Sequence, residues 1–260
     1  MSRRTTARST RPATARAVTV GIAALSAATV VLALSGCGFI GPRHMFSDSA
    51  SVGAAVTHVT IDSPDGAVEI RGVAGATEVS IERTVRYRGP EREVGDTHRL
   101  DGDELVLGGC GRNCSVEYAV EVPAGVDVSG ETSNGAITLE DVGEVDVETS
   151  NGRIELTDVA GEVSASTSNG RIEGRGLAGD GVDVDTSNGA IDLEVVTPQD
   201  VSADTSNGSI DLEVPAAASF RVDAHTSNGR TDIGVADDPD GEFELVLGSS
   251  NGSITVTVAG

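Results

Sequence analysis

Carboxylates recur at fixed offsets from a repeated tetrapeptide, and they are the residues of this chain whose spacing could do chemistry. Directly before Thr-Ser-Asn-Gly stand Glu131, Glu148, Asp185 and Asp204, and three residues after its glycine stand Glu155, Asp192 and Asp211. If the units stack, each set becomes a ridge of aligned carboxylates. Such a ridge could share a hard cation such as calcium, which takes oxygen ligands from several acids. The blander reading is a solvated face whose charge keeps chains apart. No Asp-rich calcium loop accompanies the columns, so they stand as cation-ridge candidates and no metal site is assigned. Paired carboxylates could also serve a glycosidase, but that chemistry needs two acids set apart by their environments. These acids occupy equivalent positions, and with no Trp, two Tyr and four Phe the chain lacks the aromatic platforms of a sugar site. A carbohydrate-active β-helix enzyme is therefore the remotest alternative, no catalytic residue is assigned, and no cofactor is expected.

The cysteines divide by position. Cys37 closes Leu34-Ser35-Gly36-Cys37, after a leader carrying Arg3, Arg4, Arg8, Arg11 and Arg16 and an uncharged, mostly apolar run from Val18 to Leu34. That is a secretory pattern, short for a spanning helix, and its end resembles the lipobox of bacterial lipoproteins. The resemblance implies cleavage before Cys37 and acylation of its thiol; an uncleaved anchor helix is the alternative. Two cysteines then remain, Cys110 and Cys114. In an exported protein a pair this close is expected as a disulfide around a tight loop. A redox pair would want Cys-x-x-Cys at a helix start, and zinc would need further ligands, whereas His44, His58, His98 and His225 are scattered.

The elements that would hold these residues are set by the repeat. The tetrapeptide or its near copy occurs at Thr132–Gly135, Thr149–Gly152, Thr167–Gly170, Thr186–Gly189, Thr205–Gly208, Thr226–Gly229 and Ser249–Gly252, spaced by 17, 18, 19, 19, 21 and 23 residues. A short, regular period reads as stacked structural units. Before each copy the chain alternates apolar and polar (Val128, Val145, Val163, Val182, Val201, Val222, Leu245), and it does so again after it (Ile137, Ile154, Ile172, Ile191, Ile210, Thr231, Ile254). Each unit is thus strand, corner, strand.

Two folds fit that unit. Asn-Gly favours a type I′ hairpin turn, but a hairpin gives no reason to keep Thr and Ser beside it. A single-stranded parallel β-solenoid with coils of about 17–23 residues does, because every corner then meets its own copy. The all-β solenoid is the expected fold, with Asn134, Asn151, Asn169, Asn188, Asn207, Asn228 and Asn251 forming an amide ladder and glycine supplying a positive φ at each corner. Stacked in sequence order, Asn188 would lie mid-ladder and Asn251 at an end with one neighbour. The boundaries follow: 1–36 signal peptide, 37–55 flexible tether, 56–128 an N-terminal β region with the cysteine loop, and 129–260 the seven-repeat solenoid. Within the second, Ser63-Pro64-Asp65-Gly66 reads as a degenerate corner and the charged Arg86–Arg99 stretch as a hairpin or loop.

Charge narrows the partners. The whole chain carries −23 with no lysine; without the leader's five arginines, 13 arginines face 41 acids, a net charge near −28. Such a surface repels phosphate backbones, which excludes nucleic acid as a partner, and for the same reason is not expected to attract anionic headgroups. The membrane tether would then be covalent lipid.

Strands punctuated by Ser-Asn-Gly, behind a Cys-x₃-Cys loop and the step Val122-Pro123-Ala124-Gly125, resemble the bacterial domain of unknown function labelled "putative adhesin", over about residues 56–260. The resemblance implies a β-helical module on the extracytoplasmic face of the cell envelope, contacting an envelope protein or surface ligand, and supplies no catalytic residues. Some relatives are thought to accompany envelope-stress sensing, so an accessory role in such a system is the alternative function.

Overall fold

The computed structural model describes residues 41–53 and 55–259, so the leader and Cys37 lie outside the described residues. Every regular element among the described residues is a strand. The first seven are β1 (Arg43–Val52), β2 (His58–Asp62), β3 (Val68–Val73), β4 (Val79–Arg88), β5 (His98–Asp101), β6 (Glu104–Gly108) and β7 (Cys114–Pro123). The repeats supply β8 (Asp127–Asn134), β9 (Ile137–Glu140), β10 (Val145–Asn151), β11 (Ile154–Thr157), β12 (Val163–Asn169), β13 (Ile172–Leu177) and β14 (Gly181–Asn188). They continue with β15 (Ile191–Val195), β16 (Asp200–Asn207), β17 (Ile210–Val214), β18 (Phe220–Asn228), β19 (Thr231–Ile233), β20 (Phe243–Asn251) and β21 (Ile254–Val258).

The strand before each corner joins a ten-stranded sheet and the strand after it an eleven-stranded sheet, so each unit is one coil of a two-sheet parallel solenoid. The hairpin alternative fails on pairing. Val145 lies beside Val128 and Val163, and Ile154 beside Ile137 and Ile172, always strand against the equivalent strand of the next coil. Inward residues of both sheets form aliphatic columns: Val145, Val147, Ile154, Leu156, Ile191 and Ile210 are all at most 2% exposed. Identical side chains one strand spacing apart fill the core with almost no aromatic residue. Where the leucine column breaks at Gly174, the register shifts and Leu177 turns into the space instead.

Spatial order departs from sequence order at both ends. The coil β2/β3 lies between β8/β9 and β6/β7, and the coil β20/β21 lies between β16/β17 and β18/β19. The corrected stack therefore has nine coils among the described residues, and the 56–128 region continues the same two sheets as the repeats. The reason at the C-terminal end is polarity. Coil β18/β19 has Thr231 where the others carry isoleucine, and most of its residues are exposed, whereas Leu245, Leu247, Ile254 and Val256 of β20/β21 are buried. Placing the polar coil outermost and the apolar coil inside buries more apolar surface, as terminal caps of repeat proteins do. At the other end, the Cys110–Cys114 disulfide, with Cα atoms 5.6 Å apart, closes the corner position of coil β6/β7.

Residues 43–52 correct the expected tether. They form β1, paired antiparallel with β4 along its whole length from Arg43↔Arg88 to Val52↔Val79. Beyond pairing, an ion pair between a buried arginine and a half-exposed aspartate holds it. Arg83, 6% exposed, donates from Nε to Asp48 Oδ1 at 2.6 Å and from Nη2 to Oδ2 at 2.8 Å. Its Nη1 donates to Gly95 O at 2.9 Å and Thr97 Oγ1 at 3.0 Å. Tyr118 OH beside them reaches Gly108 O at 2.7 Å, and burial pushes this phenol up to about 12. The Arg86–Arg99 stretch is accordingly the end of β4 followed by a loop tied down by Arg83, rather than a hairpin.

The hydrogen bonds from Arg83 hold the Asp48 carboxyl below its ordinary value. A depressed folded-state pKa contributes stability that is full above the unfolded value and lost as pH falls below it. Asp48→Asn is thus expected to cost about 0.5–1 kcal/mol at neutral pH, since Asp48 is 46% exposed and water screens the pair. The gap from wild type should close below about pH 4. Thermal melts of both proteins across that interval check it, and a gap that stays constant into acid contradicts it.

Candidate interaction surface

The corner is built by three residue types with separate tasks. Threonine ends the incoming strand pointing inward, where Thr149, Thr167, Thr186 and Thr205 are at most 3% exposed. A buried hydroxyl needs a partner, and it finds the corner glycine carbonyl of the adjacent coil: Thr149 Oγ1 donates to Gly135 O at 3.1 Å, Thr186 to Gly170 O at 3.0 Å, Thr226 to Gly252 O at 2.9 Å. Asparagine sits outside. Its Nδ2 donates to the amide oxygen of the neighbouring asparagine and to the neighbouring serine carbonyl, as in Asn188 to Asn169 Oδ1 at 3.1 Å and to Ser168 O at 3.3 Å. The second bond fixes which end of the amide is nitrogen. The serine thus contributes its backbone, and nothing in the structure explains its side chain.

Glycine corrects the expectation of positive φ. None of the seven corner glycines is in the left-handed region. Each is required by proximity: a Cβ on Gly152, Gly189 or Gly208 would overlap the glycine carbonyl oxygen of the adjacent coil. Any larger residue would push the coils apart.

The amide ladder runs Asn134, Asn151, Asn169, Asn188, Asn207, Asn251, Asn228, following the stack and not the sequence. Asn251 therefore has neighbours on both sides and Asn228 is the last rung. At the other end Asn134 Nδ2 donates to Asp65 Oδ1 at 2.8 Å, so the degenerate corner read from Pro-Asp-Gly completes the ladder with a carboxylate.

The acidic columns form, and they differ. Glu131 lies beside Glu148, and Asp185 beside Asp204, all exposed, with Ser166 between the pairs and Gly248 next after Asp204. His225, exposed, closes this column on the outermost coil. In the second column Glu155, Glu173, Asp192 and Asp211 are consecutive neighbours, followed by Thr255. Arginines interleave here: Arg153 lies 2.8 Å from Glu155, Arg175 2.5 Å from Glu173 and Arg171 3.2 Å from Asp192. The second column is largely neutralised at its own surface, whereas the first stays uncompensated. Among the described residues no group of three or more His, Cys, Asp or Glu is placed to hold a metal ion. The columns are rows of separate carboxylates, about one strand spacing apart and in no enclosed site.

A family model described as Toastrack DUF4097 matches residues 109–259. The chain belongs to that family. The Toastrack match runs from the disulfide loop to the last strand and takes in every Ser-Asn-Gly corner. Coil β2/β3 and strand β1 lie before the match. A crystal structure of a "putative adhesin" from Bacteroides fragilis shares 12% identity at a TM-score of 0.42, covering 85% of this chain and 100% of that one. One from Parabacteroides merdae gives 13% and 0.41 over 85% and 98%. A "putative cell adhesion protein" from Clostridium sporogenes gives 11% and 0.38 over 84% and 100%. No curated protein matches the chain.

The ladder makes a graded prediction. Asn188→Ala and Asn251→Ala each remove three hydrogen bonds and Asn228→Ala two, each worth about 0.5–1 kcal/mol. Denaturant titrations should show equal losses at 188 and 251 and a smaller one at 228. A loss at Asn251 below that at Asn228 contradicts the observed order.

Proposed function

We propose that this chain is a lipid-anchored interaction module on the extracytoplasmic face of a bacterial membrane, one that binds another envelope macromolecule through the surface of its stack. The observation that carries the reading is the regularity of that surface. Carboxylates recur at one strand spacing along adjacent coils, exposed and backed by a single aliphatic core. Repeated equivalent groups suit a partner that engages several coils at once, where modest contacts sum through effective concentration. Catalysis asks for the opposite, groups made unlike by burial. The uncompensated first column selects for a basic or cation-bridged partner.

The anchor rests on Leu34-Ser35-Gly36-Cys37 behind the arginine-rich leader. Secretion also agrees with the Cys110–Cys114 disulfide, a bond at home outside the cytoplasm. Lipoprotein cysteines carry more than one acyl chain, and two anchoring signals hold where one is marginal.

Mass spectrometry of protein taken from the membrane fraction is expected to find acylated Cys37 as the first residue. A chain that retains Met1, or wild type and Cys37→Ser recovered alike as soluble protein, contradicts the anchor. Photo-crosslinking from Asp204 in intact cells tests the partner: one dominant protein adduct is expected, and its loss on Glu148→Gln/Asp185→Gln should follow. Adducts unchanged by those substitutions contradict binding through the first column.

A further inference from the structure

One end of the stack departs from the chain's overall charge. Across the antiparallel pair, Arg43 faces Arg88 and Met45 faces Arg86, which places three arginines and an exposed methionine on one face of β1 and β4. Directly opposed like charges destabilise a strand pair, and this chain has 41 acids available to relieve them. Arg71, Arg83, Arg153, Arg171, Arg175 and Arg221 each hold a carboxylate, whereas Arg92, Arg99, Arg112 and Arg230 hold none among the described residues. Arg86 pairs with Glu117. Arg43 and Arg88 have no carboxylate within ion-pair distance among the described residues. Met45 beside them is 67% exposed, against 49% for Val196 and 40% for Leu100 and Val258. Beside this face the edge of the stack opens into a cleft of about 570 Å³, lined by Arg43, His44, Met45, Tyr87 and Arg88 among others. Its walls are firm: His44 stacks on Tyr87 with ring centres 4.8 Å apart, and Arg92 lies over the same tyrosine.

The position says what such a face meets. Arg43 lies six positions after Cys37, a reach of at most about 20 Å when extended. A membrane holding Cys37 is therefore within reach of this end of the stack.

We propose that the Arg43–Arg88 face is a membrane-docking surface: the guanidinium groups take the phosphates of anionic phospholipids, and Met45 enters the interface between them. The inference rests on the anchor proposed above and adds an orientation to it. Arginines near an anionic surface gain about fivefold each in partitioning, and guanidinium groups bind phosphate through paired N–H donors. The acidic columns are repelled by the same surface. The uncompensated column lies on the other sheet, on β8, β10, β14 and β16, and so faces away from this surface toward its partner. The average charge, which suggests no attraction to anionic headgroups, conceals this local exception.

The test uses the full lipoprotein with Met45→Cys carrying an environment-sensitive fluorophore; the acylated Cys37 and the oxidised pair leave the new thiol as the labelled one. Vesicles of phosphatidylcholine alone are compared with vesicles containing phosphatidylglycerol, with flotation measured in parallel. The protein should float with both, and the label should enter the lipid interface on the anionic vesicles alone. Arg43→Gln/Arg88→Gln should lower the inserted-to-free ratio of the label roughly 25-fold, about fivefold per arginine, without changing flotation. A label at Asp232→Cys, on the opposite end, should stay in water throughout. Failure to float with either vesicle contradicts the anchor. Flotation with the Met45→Cys label still in water, equal insertion on neutral vesicles, or insertion that survives the double substitution contradicts the docking face alone. Displacement of the label by inorganic phosphate at constant ionic strength would also overturn it, making the face a site for free anions.

Discussion

Contact between corner glycines sets the coil spacing on which the rest of the structure depends. A strand spacing of about 4.8 Å leaves no room for a Cβ at the corner, and the carbonyl of one glycine then lies where the next coil's threonine hydroxyl can reach it. Outside the same corner, that spacing suits one planar amide upon another, which gives the asparagine ladder. Inside, it sets isoleucine on isoleucine. Because side chains alternate between faces, a slip of one residue would turn every aliphatic column to solvent and every carboxylate inward. The corner and the core therefore enforce one register together, and neither would hold it alone.

That coupling is why so much of the fold was legible. A residue type that recurs at one offset in six of seven units, as isoleucine does two positions after the corner glycine, has been placed by contact with its own copies. The same logic revealed Asp65 as the degenerate rung. It failed where contacts are not between copies. The order of coils is decided by which coil buries more apolar surface, and its one visible signal is Thr231 in the isoleucine column. β1 is held by Arg83 and Asp48, 35 residues apart, a pairing that no local pattern announces. The glycine role was misassigned because Asn-Gly suggests a turn needing positive φ, whereas here the glycine answers a close approach.

The two ends solve the problem of exposed sheet edges differently. At the C-terminal end the polar coil β18/β19 is outermost, and Asp237 covers part of β18 by accepting from Val222 N at 3.0 Å. At the other end the disulfide replaces a corner, and antiparallel β4, β1 and β5 end the parallel sheets. Such edges would otherwise template pairing with further chains. The candidate surfaces divide in the same way. Carboxylate columns line the length of the stack, and arginines gather where β1 pairs with β4. The columns were legible as a repeated pattern. The arginine face was not, because it joins residues 43 and 88 through an antiparallel pairing lying in the presumed tether.

The most direct test is of register and coil order at once. Thr255 lies beside Asp211 in the stack, and Asp232 lies one coil further out. With cysteines at 211 and 255, neighbouring Cα atoms at about 4.8 Å are within the span a disulfide bridges. With cysteines at 211 and 232, the distance is about twice that. Mild oxidation of the two double variants, followed by thiol counting and peptide mapping, is expected to link 211 to 255 and leave 211 and 232 free. A link between 211 and 232, with 255 unreacted, would contradict the inserted C-terminal coil and restore a stack in sequence order.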